Sequence, residues 1–135
     1  MAENSPDSVH PFRAAVERRD VEGAIALLAD DVVFCSPIVY RPYEGREAVA
    51  TILRAVFHTF EEFRYEREFG APDAREHALV FRARVGDREV QGADFLTTAP
   101  DGSITELTVM VRPLSGAHAL AAAMKARLEA AQPQV

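Results

Sequence analysis

Two short turns in the second half of the chain leave it little choice of architecture. Gly86-Asp87 separates two runs of alternating character, with glycine at the first central position, as a type II′ hairpin turn prefers. A two-residue loop pairs Val85 with Arg88. It therefore sets Phe81 opposite Gly92, Leu79 opposite Asp94 and His77 opposite Leu96. The second turn is Ala99-Pro100-Asp101-Gly102-Ser103, in which proline enters a type I turn and Gly102 takes the left-handed bulge position. It pairs Ala99 with Ser103 and, counting back, Leu96 with Glu106, Asp94 with Thr108, Gly92 with Met110 and Val90 with Arg112. Three consecutive antiparallel strands are predicted, over 77–85, 88–97 and 103–112.

The first half reads differently. Apolar residues recur at helical spacing over 8–18, and Asp20 caps a second short helix over 21–29. Residues 31–36 (DVVFCS) read as a strand, and IVYRPYEG as a loop carrying Tyr40 and Tyr43. A third helix is predicted over 46–60, a strand over 63–69 and a C-terminal helix over 116–131. Residues 1–7 are polar and read as a frayed end. Helices first, then strands joined by tight turns, is the pattern of an α+β domain with an antiparallel sheet. The 135 residues suit a single domain spanning 1–135.

Composition excludes several functions. The net charge of −6 lacks the basic footprint that nucleic acid or an anionic membrane requires. The one cysteine, Cys35, forms no intrachain disulfide, belongs to no Cys/His ligand spacing and has no nearby base, so it reads as a small core residue. No metal and no cofactor is expected. The N-terminus has no signal-peptide pattern, and no apolar run approaches a membrane span. A cytoplasmic location is the default expectation.

With both turns in register, one sheet face carries His77, Leu79, Phe81, Gly92, Asp94, Leu96, Glu106, Thr108, Met110 and Arg112. The other carries Phe95, Leu107, Val109 and Val111 beside Arg82 and Arg84. The first face is apolar with a few ionisable groups close together, the composition of a small-molecule pocket. Leu79, Phe81, Leu96, Thr108 and Met110 are its expected lining, with Tyr40 and Tyr43 over its mouth. Asp94 stands out, because aspartate is depleted in strands and costly to bury. An apolar pocket raises its pKa and suits it to acid–base work; alternatively it pairs with Arg112 or a backbone amide and only organises the wall. His77 and Glu106 either form a relay with Asp94 or sit at a strand end in solvent. Arg112 either holds a ligand oxygen or pairs with Glu106 or Asp94.

The phrases DDVVFCSP (30–37), YEGREAV (43–49) and VQGADFLTTAPDGSITELTVMVRPL (90–114) resemble the nuclear transport factor 2-like superfamily, most closely its SnoaL-like branch. The resemblance implies a cone: a strongly curved, mostly antiparallel sheet around an apolar pocket, closed by N-terminal helices. It also implies a homodimer through the outer sheet face. The same fold serves ketosteroid isomerase, polyketide cyclases, scytalone dehydratase, limonene epoxide hydrolase and a non-enzymatic transport factor. Two functions are therefore expected of it. One is a cofactor-independent isomerase, dehydratase, cyclase or epoxide hydrolase, with Asp94, Arg112, Glu106 and His77 as its catalytic candidates and a hydrophobic oxygenated ligand. The other is a non-catalytic module that binds a ligand or a protein.

Overall fold

Capping residues set the first two helices of residues 9–131, the part of the chain that the computed structural model describes. The expected frayed end at 1–7 lies outside these residues. Helix α1 (Pro11–Glu17) starts behind His10, whose Nδ1 accepts the Phe12 N–H at 3.0 Å. Pro11 fills a first-turn position where no amide donor is needed. Helix α2 (Val21–Ala26) starts behind Asp20, whose Oδ1 accepts the Gly23 N–H at 2.9 Å. Strand β1 (Leu28–Cys35) begins earlier than expected. The tyrosine loop contains a two-residue strand β2 (Tyr43–Glu44), paired with Val33 and Phe34 of β1.

Helix α3 (Arg46–Thr59) buries Val49, Ile52 and Leu53 along one stripe. Each such side chain contributes about 1.5–3 kcal/mol by leaving water. Strands β3 (Glu61–Phe69), β4 (Glu76–Val85), β5 (Arg88–Thr98) and β6 (Ile104–Arg112) follow, and then helix α4 (Leu114–Ala131). The sheet order is β2-β1-β6-β5-β4-β3. Neighbours are antiparallel except β1 and β6, which run parallel. Register shifts in β3 and β6 mark bulges, which bend strands and increase twist. The open sheet curls into a cone, with helices against its concave face. Helix α4 lies on this inner side, where Leu120 is buried and Gly116 sits against Val90. The outer face therefore lacks helix cover.

The β4–β5 register agrees with the sequence at every pair named above. The β5–β6 register agrees only at the turn. The Ala99 N–H does bond the Ser103 carbonyl, and Thr98 lies opposite Ile104. A bulge then shifts the ladder by one residue between Thr98 and Thr97, and the Thr105 hydroxyl donates to the Thr97 carbonyl at 3.2 Å. From there Leu96 faces Leu107, Asp94 faces Val109 and Gly92 faces Val111. Leu107, Val109 and Val111 thus turn inward, and Glu106, Thr108, Met110 and Arg112 turn outward. Gly92 lies beneath the Phe81 ring; a Cβ there would come within 2.6 Å of the Met110 carbonyl oxygen as well as striking the ring.

Candidate active site

Asp94 faces the concave side, 7% exposed, in the middle of β5. Its partner is Tyr65 of β3, equally buried, whose hydroxyl donates to Asp94 Oδ2 at 2.8 Å. Asp94 Oδ1 has no protein hydrogen-bond partner among the described residues. The Tyr65 ring is held by aromatic neighbours. Phe63 meets it edge-on at 4.9 Å, and Phe81 does so at 6.4 Å while stacking on Phe63 at 4.7 Å. Helix α1 covers the same place. Glu68 accepts from the His10 N–H and from Arg13 Nη1, and the Arg13 guanidinium lies 5.8 Å from the Tyr65 ring centre.

Burial pushes the Asp94 carboxyl from 3.8 up to about 7, and the hydrogen bond from Tyr65 restrains the rise. Burial, then the adjacent Asp94 charge, pushes the Tyr65 phenol well above its ordinary value, so it stays protonated as a donor. The pair lies on the wall of a cavity of about 80 Å³. The rest of that wall is almost wholly apolar: Phe12 and Val16 from α1, Leu53, Val56 and Phe57 from α3, Leu107 and Val109 from β6, and Leu120 from α4. Arg19 is the remaining ionisable residue on it. A carboxyl that changes charge near neutrality, fixed by a phenol in an apolar cavity, can take a proton from a ligand and return it.

The other expected site residues lie elsewhere. Glu106 and Arg112 are exposed on the outer face, where Arg112 Nη1 donates to Gln91 Oε1 at 3.1 Å. Thr108 and Met110 share that face, and Met110 is 59% exposed. All four were displaced by the bulge, so neither Arg112 nor Glu106 meets Asp94. His77 is buried at the sheet end, away from the cavity wall. Its ring packs edge-on against His10 at 4.7 Å, and its Nε2 lies 2.9 Å from the Ala74 carbonyl. Burial, and then His77, lowers the His10 pKa to about 4, which keeps that ring neutral under α1. Leu79, Phe81 and Leu96 are buried on the predicted face, but as core behind the cavity. Tyr40 is fully exposed, and Tyr43 packs 6.2 Å from Phe34 beside a second cavity.

Tyr65 was not among the sequence candidates. Its signal was the Phe63–Tyr65 alternation, but the 70–75 connection and two bulges in β3 hid which residue it meets across the sheet. The inward set Leu107, Val109 and Val111 was legible as the more apolar alternation of β6.

A mostly antiparallel cone with helices on its concave face, closing over an apolar cavity with a buried carboxyl, defines a class of small-molecule pocket proteins. The chain belongs to the SnoaL-like domain family, which matches residues 9–107, within the nuclear transport factor 2-like superfamily. It is similar to the crystal structure of a steroid delta-isomerase from Pseudomonas aeruginosa, at 42% identity and a TM-score of 0.83, over 88% of this chain and 87% of that one. A bacterial protein with a cystatin-like fold from Silicibacter pomeroyi is 35% identical at a TM-score of 0.84, over 92% and 89%. A protein from Burkholderia xenovorans described as nuclear transport factor 2-like, 22% identical at a TM-score of 0.61 over 81% and 89%, shares the fold. Comparison with functionally curated proteins returns no match. Among the described residues no helix is long and apolar enough to cross a membrane.

Proposed function

We propose that the chain is an isomerase-type enzyme that moves a proton within a hydrophobic, oxygenated ligand, with Asp94 as the acid–base group. The observation that carries this reading is the Tyr65–Asp94 pair on the wall of an apolar cavity, with the carboxyl pushed to about 7. The ionised carboxylate takes a proton from the carbon next to a ligand carbonyl, and the electron pair moves onto the carbonyl oxygen as an enolate. Return of that proton from Asp94 to the far carbon of the resulting dienolate conjugates the double bond. Tyr65, held protonated, keeps the carboxyl in place and lowers the cost of its ionised form. The name of the Pseudomonas aeruginosa relative, steroid delta-isomerase, supports the same class of reaction.

The test is conversion of β,γ-unsaturated ketones, steroidal and linear, followed by the absorbance of the conjugated enone. Turnover is expected in the wild type and should collapse in Asp94→Asn while ligand binding persists. Binding without turnover in the wild type would favour the second reading, a non-catalytic ligand-binding module. The observation on that side is that, among the described residues, Asp94 is the one carboxylate on the cavity wall. We further propose that the protein acts as a homodimer through the outer sheet face, where Phe95, Met110 and Phe69 are 41%, 59% and 52% exposed.

A further inference from the structure

We propose that the ligand is an elongated, mostly apolar molecule spanning two chambers, its oxygen-bearing end beside Asp94 and its hydrocarbon end between α3, α4 and residues 36–39. This rests on the Asp94 cavity being a ligand site, and adds what that ligand must look like. The cavity beside Asp94 measures about 80 Å³. Small-molecule sites ordinarily run to about 300–1,000 Å³. The inner chamber alone therefore holds a carbonyl and its nearest carbons and little more.

A second chamber supplies the missing space. It measures about 430 Å³, and its wall is apolar apart from Ser36 and a rim that includes Lys125 and Glu129. Phe34, Pro37, Val56 and Leu120 line both chambers, so they form the partition between them. Ile38 and Val39, 42% and 44% exposed, line its edge and present apolar surface towards it. The occupant that fits a hydrocarbon chamber sharing a wall with a carboxyl-bearing one is the far end of the same molecule. The ligand class is then a long-chain or multi-ring ketone or alcohol, with no charge at the end that lies by Asp94.

A series of straight-chain methyl ketones from 2-hexanone to 2-dodecanone tests this by calorimetry. Affinity is expected to climb about fourfold with each added methylene up to the longest member. In Met124→Trp, which fills the outer chamber from α4, the ratio of 2-dodecanone to 2-hexanone affinity should drop roughly tenfold or more. Val56→Phe, which thickens the partition from α3, should lower the same ratio should the tryptophan variant fail to fold. A length dependence that levels off after 2-hexanone in the wild type overturns the two-chamber ligand and leaves the Asp94 site standing; the outer chamber would then serve something else, such as a partner's helix. An unchanged ratio in folded variants of both residues overturns it too. Failure of every ketone to bind removes the Asp94 ligand site along with it.

Discussion

A carboxyl that titrates at about 7 changes charge near neutrality, and in Asp94 burial produces this while Tyr65 limits it. The same shift has a stability consequence whose sign is fixed. Below about pH 4 the group is protonated in both folded and unfolded chains. Between about 4 and 7 the unfolded chain ionises first, so stability falls as pH rises, by on the order of 4 kcal/mol, and the loss is constant above. Asp94→Asn carries no such loss. Its melting temperature at about pH 8 is expected to exceed the wild type by several degrees, with the gap closing towards about pH 4. Thermal scans across that range check this; a variant less stable than the wild type at about pH 8 would mean that the ionised carboxylate holds the wall together. In catalysis the base acts ionised, so kcat/KM should rise with pH and level off above about 7. Tyr65→Phe removes the donor that favours the carboxylate, so that midpoint should move to higher pH, as a pH–rate profile would show. Asp94 was legible as an outlier in an apolar strand because nothing local explains it. Its partner was not, since Tyr65 lies 29 positions away across a bulged strand.

At the scale of elements, two hairpins show what a sequence reveals of a sheet. The Gly86-Asp87 turn leaves no slack, so the β4–β5 pairing follows from counting. The second turn also closes where its residues require, yet one extra residue at Thr105 reverses the facing of everything after it. A bulge adds no residue type that a turn signal would reveal, and Thr105 is an ordinary strand residue. The contrast between Leu107, Val109 and Val111 and their polar neighbours marks the inward side of β6, against the facing that counting from the turn gives. The missing Cβ of Gly92 lets the Phe81 ring cross β5, and that ring in turn stacks on Phe63 beside Tyr65. Gly92→Ala is expected to cost about 1–3 kcal/mol in chemical denaturation, through a displaced ring or backbone. A neutral result would show that Phe81 relaxes freely and does not position Tyr65.

For the whole molecule, the order of elements was enough to infer an α+β domain with an antiparallel sheet, because strands joined by tight turns form a meander; the cone closed by helices was implied by the family resemblance. The parallel β1–β6 contact and the inner position of α4 depend on long-range packing and were not legible. With α4 inside, the outer face keeps Phe95 and Met110 in the open. Phe95→Glu combined with Met110→Glu is expected to convert a dimer to a monomer in light scattering, with the fold intact; an unchanged mass would remove this face as the interface. Ionisation of the carboxyl on the inner face is read by a carbon-13 NMR titration of aspartate side-chain carboxyls, with Asp94→Asn to assign the signal. One carboxyl titrating near pH 7 and absent from the variant is the expected result. A spectrum in which every aspartate, Asp94 included, titrates near the ordinary value of about 3.9 would contradict it.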